Sequence, residues 1–381
     1  MLNNRAGEYF QQATGYKAFI PKPLPPDPPL NIDSDMIYFL SKADRCLGRL
    51  DGITQILPNP DLFVAMYVKK EALISSQIEG TQASLVDVLE AEDPDRKDGD
   101  KSVEEVVNYV RAMNYGLDRL NTLPLSKRLI QEIHSILLED VRGSERAPGE
   151  FRRTQNWLGH AGSTLLTATF VPPPPDVMNT AMNDLELFFH SEDNLPPLIK
   201  IGLIHAQFET IHPFLDGNGR IGRLLITFWL CQQEILTKPL LYLSYYFKRN
   251  RSEYYDRLMD IRFKGDWEGW LKFFLKGLAE ISEEATNAAK AILGLKQIHS
   301  HLIEKHIRNK VNALILLDVL FEHPIITVNK AATLLKTSYP TASGLISKFV
   351  ELGILKDDPT VHRNKKYQYK DYIAILESGT D

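Results

Sequence analysis

An imidazole, a carboxylate, two glycines and two arginines fall within twelve residues of this 381-residue chain, at His212, Asp216, Gly217, Gly219, Arg220 and Arg223. Gly217 and Gly219 flank Asn218 just ahead of an apolar helical pattern through Leu224, Leu225, Phe228 and Leu230. Glycines let backbone N–H groups turn toward an oxygen, and the N-terminus of the following helix adds partial positive charge. Arg220 and Arg223, at i and i+3, share one helix face. Two guanidinium forks there can clamp further phosphate oxygens. Asp216 stands where it would hold a magnesium ion bridging phosphates. His212 carries the side chain whose ordinary pKa suits a general base near neutrality. These residue types describe in-line attack on a nucleotide phosphate, with the rate supplied by positioning and charge neutralisation. A histidine after an apolar helix, or a Gly-Asn-Gly turn, is by itself ordinary structure. Their concentration is not, because two arginines and an aspartate buried near one loop cost several kcal/mol unless something pairs with them.

Such a loop needs a rigid frame. Apolar periodicity predicts helices over 33–50, 61–79, 102–120, 126–140, 177–191, 197–211, 219–236, 251–262 and 266–294. Asp61 is the expected N-cap of the second, and Gly80 its stop. The proline-rich stretch 18–30 cannot be helical and reads as an extended arm over the surface. Residues 92–101 read as a charged, exposed loop. Over 151–171, Thr, Val and aromatic residues flank a glycine-containing turn, which predicts a hairpin closed by Pro172–Pro175. Residues 31–295 thus form one mostly α-helical body with a single hairpin. After residue 308 the pattern changes to helices at 308–322, 327–336 and 338–352, then two strands around a polar loop at 357–365. Three helices and a two-stranded wing make a winged helix-turn-helix. The expected division is 1–100, 101–295 and 296–381.

Composition bounds the function. With 44% hydrophobic and 24% charged residues, a real core is expected. A net charge of -5 excludes bulk attraction to nucleic acid. Residues 301–381 carry 11 Lys+Arg against 9 Asp+Glu, a net +2 that leaves -7 for the first 300 and falls short of a phosphate-binding footprint. No window approaches the roughly 20 apolar residues of a membrane span, and the polar start is unlike a signal peptide. Cys46 and Cys231 show no metal spacing and read as reduced packing residues of a cytoplasmic protein.

The run His212-Pro-Phe-Leu-Asp-Gly-Asn-Gly-Arg-Ile-Gly-Arg223 resembles the HxFx(D/E)GNGRxxR signature of Fic-domain proteins at every specified position. The proline-rich arm, helical body, hairpin and winged helix look like full-length bacterial Fic adenylyltransferases. The resemblance implies transfer of AMP from ATP to a Ser, Thr or Tyr hydroxyl of a target protein. His212 would be the base, Asp216 the Mg2+ ligand, and the backbone of Gly217, Asn218 and Gly219 the anion hole. Arg220 would hold the leaving diphosphate and Arg223 the γ-phosphate, with Ile221 and Gly222 between them bordering ATP. Phe214 would anchor the loop. Glycine rather than lysine at 219 is the adenylylating pattern. Gly149-Glu-Phe-Arg152, Gln155 and Trp157–His160 look like the family's flap, on which a target segment over 155–170 would dock by strand addition. There Leu158, Gly159 and His160 would border adenine and ribose. Asn250, with Tyr242 and Tyr254, sits where family members contact adenine.

Ser75-Ser-Gln-Ile-Glu79-Gly80 looks like the family's (S/T)xxxE(G/N) inhibitory helix. A carboxylate in a helix's last turn faces the negative end of the macrodipole, at about 0.3–1 kcal/mol, and Arg223 is the guanidinium to offset it. Glu79 on Arg223 would deny the γ-phosphate its clamp, within one chain or across a homodimer. Other readings stay open: removal of AMP with Glu79 positioning water, transfer of a group other than AMP, or a nucleotide-sensing transcriptional regulator. The presumed recognition helix 338–352 carries only Lys348 and Glu351 as charges, and Arg363, Lys365 and Lys366 in the wing could touch phosphates. DNA binding is therefore weakly supported beside target docking or dimerisation.

Overall fold

The computed structural model describes residues 5–55, 60–90, 100–357 and 365–377. It opens with an antiparallel hairpin of β1 (Gly7–Gln11) and β2 (Lys17–Pro21). The proline-rich stretch was expected to be an arm throughout, but its first residues form β2. Ala18 and Phe19 are fully buried there, and the Phe19 N–H donates to the Val171 carbonyl at 2.9 Å. The rest crosses the surface, held where Arg5 donates to the Pro28 and Pro29 carbonyls and pairs with Glu268 at 2.9 Å.

Two long helices follow, α1 (Ser34–Gln55) and α2 (Pro60–Ile78). Pro60 takes the first position of α2, so Asp61 lies in the first turn and is not the N-cap. From Met66 to Ile78 nearly every side chain is buried, including Lys70, Glu71, Ser75 and Ser76. A helix apolar on all sides belongs at the centre of a bundle. It ends because Gly80 adopts φ +97, a left-handed turn that favours glycine.

A short α3 (Leu85–Glu90) is unforeseen, and the charged stretch at 92–99 lies outside the described residues. Asp100 caps α4 (Lys101–Leu120) and Ser126 caps α5 (Lys127–Leu137). The prolines before α6 (Pro175–Phe189) and α7 (Pro197–Ile211) occupy first-turn positions, where a missing N–H costs nothing. Helix α7 is buried at every residue from Leu198 to Ile211 and turns back into α8 (Asn218–Gln232). The aromatic stretch becomes α9 (Leu243–Arg249), followed by α10 (Arg251–Lys264). Helix α11 (Trp267–His306) packs along α1 and covers α7, where the Trp270 indole donates to the Gly202 carbonyl at 2.8 Å. It runs unbroken past residue 295, the expected boundary.

The hairpin expected over 151–171 is reduced to one antiparallel bridge, Leu158 to Phe170, with N–H···O distances of 2.8 and 3.1 Å. Between them Ser163 and Thr167 close local turns, and the Thr164 N–H bonds the Thr167 hydroxyl. Such short-range bonds compete with a ladder.

The C-terminal part contains α12 (Lys310–Glu322), β3 (Ile325–Thr327), α13 (Val328–Leu334), α14 (Tyr339–Glu351), β4 (Lys356–Asp357), β5 (Lys366–Gln368) and α15 (Lys370–Glu377). The sheet order is β3-β5-β4, all antiparallel. These elements are compatible with the expected winged helix-turn-helix and add a strand, β3, and a closing helix, α15. Tyr369 ties it to α11 through a 2.7 Å bond with His299. Lys365 pairs with Asp357 and Lys348 with Glu351, while Arg363 lies outside the described residues. Cys46 and Cys231 are free. No helix among the described residues is long and apolar enough to cross a membrane.

Candidate active site

Helix α7 ends at His212, whose φ of 50 and ψ of 61 are left-handed and uncommon for a residue with a Cβ. The neighbourhood imposes this turn. The His212 carbonyl accepts from Arg152 Nε at 2.9 Å and Asn156 Nδ2 at 3.2 Å. Buried Arg152 also donates to the Pro173 carbonyl at 2.6 Å, so one guanidinium joins the end of α7 to the base of the flap. The loop to α8 is laced by Asn218, whose Oδ1 accepts from the Phe214 N–H and whose Nδ2 donates to the Phe214 carbonyl, at 2.9 and 2.8 Å. Phe214 is fully buried and stacks on His134 at 3.7 Å. His134 Nδ1 accepts from the Gly149 N–H at 2.8 Å, so its proton is on Nε2, which donates to the Asp216 carbonyl at 3.0 Å. Burial lowers the His134 pKa to about 4, keeping that tautomer neutral. Gly217, at φ 77, then opens α8, its own N–H donating to Asp216 Oδ1 at 2.6 Å while the N–H groups of the first turn lack intrahelical partners.

Charge is concentrated around that turn. Arg220 is 0% exposed, and none of its three guanidinium nitrogens has a hydrogen-bond partner. Its nearest carboxylates are Asp216 at 3.6 Å and Glu105 at 4.0 Å. A buried cation with orphaned donors is costly, and an anion at the head of α8 would satisfy them.

Arg223 is saturated instead. It donates to the Ser75 hydroxyl at 2.8 Å, the Ser75 carbonyl at 2.9 Å and Glu79 Oε1 at 2.7 Å. Burial disfavours its charge, but Glu79 outweighs that and raises its pKa. Burial likewise works to raise the Glu79 pKa, and Arg223, Arg220 and His212 bring it below the ordinary value. The Glu79 side chain is 32% exposed and lies directly over the turn, since a Cβ on Gly219 would fall 2.3 Å from Oε1.

His212 is 14% exposed. Burial, then the Arg262 and Arg152 cations, lower its pKa to about 3, so its imidazole is neutral and can accept a proton. Ser75 and Glu79 thus meet the loop from Asp216 to Arg223 through Arg223, while Gly80 ends α2 with open space beside its Cα among the described residues. Ile221 is buried within α8, and Gly222 lies against Glu209. Leu158 reaches the site through the bridge and Asn156, whereas Gly159 and His160 sit in the exposed turn beyond. Asn250 is half-buried and joins α9 to α10 through the Tyr246 carbonyl. Tyr254 is buried with its hydroxyl 2.9 Å from His205 Nε2. Tyr242 is 2% exposed under Lys70, with its ring on Tyr67, a core position and not a pocket wall.

Sequence reasoning passed over Glu209, His134, Asn156 and Arg262, which shape the loop from beneath. The i−3 spacing of Glu209 before His212 was its only local signal. Asp216 is 36% exposed. Among the described residues no group of three or more potential metal-ligating side chains occurs. Asp216 Oδ1 accepts from the Gly217 N–H at 2.6 Å, and its partly exposed carboxylate is of the oxygen-donor type that Mg2+ takes.

Residues 38–118 match the N-terminal model of the Fic/DOC family, and residues 124–230 its Fic model. A probable protein adenylyltransferase of Aquifex aeolicus (strain VF5) is 26% identical over 200 residues, 52% of this chain and 56% of that protein. Protein adenylyltransferase Fic of Drosophila grimshawi is 30% identical over 228 residues, 57% of this chain and 42% of that protein. The chain thus spans about half the length of these curated relatives. A Fic family protein from Desulfovibrio desulfuricans G20 superimposes with a TM-score of 0.60 at 20% identity, covering 90% of this chain and 97% of that one, a likeness of fold. Because the two models divide at the turn between α4 and α5 and together take in both Glu79 and the His212–Arg223 loop, the chain belongs to the Fic/DOC family.

Proposed function

We propose that this protein transfers AMP from ATP to a Ser, Thr or Tyr hydroxyl of a target protein, itself included. The observation that carries the reading is the buried Arg220 guanidinium at the head of α8, which makes no hydrogen bond and has only the looser ion pairs with Asp216 and Glu105. The N–H groups of Gly217, Asn218 and Gly219 and the Arg220 fork supply positive potential for the phosphates. His212 takes the proton of the hydroxyl as its oxygen attacks the α-phosphorus, and diphosphate leaves toward Arg220. Mg2+ at Asp216 would neutralise phosphate charge. The bridge at Leu158 and Phe170 offers a short edge on which a target segment can lie extended over the 155–170 flap.

Glu79 is the brake in this reading. Its carboxylate fills the space over Gly219 and occupies Arg223, so the γ-phosphate has neither room nor partner. We divide the chain into a brake region, 1–100, a catalytic core, 101–295, and an appended winged helix, 296–381. The exposed charges of α14 cancel in the Lys348–Glu351 pair, which suits docking of a target or a second copy more than DNA. We place the reaction in the cytoplasm.

Incubation with ATP and Mg2+ followed by intact-mass analysis tests the function. Wild type should gain little AMP, Glu79→Gly much more, and Glu79→Gly/His212→Ala none. A Glu79→Gly protein whose mass does not change would overturn it. The exposed part of the Glu79 carboxylate also allows a bound water and hence removal of AMP. Glu79-dependent loss of label from an adenylylated target would mark that direction.

A further inference from the structure

Beneath His212 lies a carboxyl group with no assigned task. Glu209 sits three residues earlier on α7 and is 7% exposed. Its Oε2 is 3.9 Å from His212 Nδ1. Neither Glu209 Oε1 nor His212 Nδ1 has a hydrogen-bond partner, and both atoms are buried. The carboxyl fits because residue 222 is glycine, where a Cβ would fall 2.5 Å from Oε1.

The electrostatics give this pairing a purpose. When His212 takes a proton it becomes a cation between two others, Arg262 and Arg152, both of which oppose it. Arg262 donates to the Glu209 carbonyl at 3.1 Å and the Thr210 hydroxyl at 3.2 Å, and its guanidinium lies 3.8 Å over the Phe170 ring. The Glu209 carbonyl also leans toward the imidazole, but it is already engaged by Arg262. The charge of Glu79 also favours a protonated His212, while the Glu209 carboxyl lies nearest Nδ1, at 3.9 Å and without a hydrogen bond in this state.

We propose that Glu209 is a positioning residue for the transfer reaction, holding the His212 Nδ1–H so that Nε2 faces the hydroxyl and offsetting the imidazolium charge as it forms. This rests on the adenylyl-transfer reading. The hydroxyl proton passes to Nε2 as the O–P bond forms and the bond to diphosphate breaks. The Nδ1 proton stays on the ring, and the Nε2 proton is lost to solvent after product release.

The groups facing Glu209 are Arg262, Tyr254 and Tyr255 of α10, Arg223 of α8, Glu79 beyond α2, and His205 and His212 along α7. Burial, with Glu79 adding, raises the Glu209 pKa to about 7 against the pull of Arg223 and Arg262. The carboxylate form therefore grows in as pH rises through neutrality, and kcat should rise with it.

The test compares Glu209→Gln with its parent in the Glu79→Gly background. Expected are a kcat lower by roughly tenfold or more, an unchanged KM for ATP, and loss of the rise in kcat across the neutral range. The glutamine keeps the backbone carbonyl, so an unchanged kcat and pH profile would overturn the proposal. An independent measurement needs no variant of Glu209. In histidine-labelled wild type, 15N shifts should show His212 protonated at Nδ1, with that resonance moving as the carboxyl titrates. An Nε2-protonated ring, or a flat titration, overturns the proposal even if the parent transfers no AMP, a result that would instead sink the adenylyl-transfer reading.

Discussion

Removing the Glu79 carboxylate should make the protein less stable and more active at once. The lost contact is a charge-assisted hydrogen bond of 2.7 Å to a buried guanidinium. Bonds of this kind contribute about 1.5–3 kcal/mol. On the proposed reading ATP displaces the carboxylate to reach Arg223, so the same energy opposes productive binding. At about 1.4 kcal/mol per factor of ten, Glu79→Gly should transfer AMP roughly 10- to 150-fold faster at low ATP. Stability moves the other way. Arg223 keeps its two bonds to Ser75 but loses its counter-charge. Stranding a fully buried charge costs about 3–5 kcal/mol. A partner one-third open to water brings the expected loss down to about 1–2 kcal/mol. Self-modification followed by mass spectrometry reads the first quantity and thermal melting without nucleotide the second. Faster transfer without any loss of melting temperature would refute the argument that one contact does both, and so would a melting loss without faster transfer.

Three further outcomes are expected. Arg152→Lys, which cannot hold the His212, Thr154 and Pro173 carbonyls together, should lower kcat at least about tenfold while leaving the KM for ATP nearly unchanged; steady-state kinetics in the Glu79→Gly background decides it. Buried Glu71, on Tyr109 and Ser244, is raised to about 7 by burial. A carboxyl raised above its unfolded value stabilises fully in acid and loses that contribution as pH rises through about 7. Melting temperature should fall as pH rises from 4.5 toward about 7 and level off above, and Glu71→Gln should flatten that fall. ATP with Mg2+ should raise the melting temperature of Glu79→Gly more than that of wild type, and Arg220→Gln should abolish the rise.

Much of the helical frame was legible because its apolar period is strong and its stops are glycines or prolines. The loop was legible because chemistry-bearing residues rarely crowd without a reason. What sequence missed depends on contacts across the chain. β2 forms because it pairs with β1 ahead of most of the prolines, and Val171, far along the chain, accepts from the Phe19 N–H. The flap lost its ladder to hydroxyl-closed turns. Helix α11 runs past residue 295 because no glycine or proline interrupts Leu295–His306. Glu209 looks like any surface glutamate in a helix; only the fold puts Gly222, Arg262 and His212 around it. Tyr242, expected with Asn250 and Tyr254 where family members contact adenine, is buried in the core beside Lys70.

Under the proposed brake, the burial of α2 also sets the tempo of release. Its last three turns are enclosed by neighbouring helices, and Ser75 grips Arg223 from within it. Withdrawing such a helix would require opening the core, a rearrangement on the microsecond-to-second scale. Glu79 stands just beyond the helix end with its side chain partly in water. Releasing Arg223 therefore needs only rotation about side-chain bonds, which takes on the order of picoseconds to nanoseconds in an exposed residue. Nucleotide should engage in one fast phase, without waiting for the scaffold, and an activator need only offer Arg223 a better anion or draw Glu79 outward.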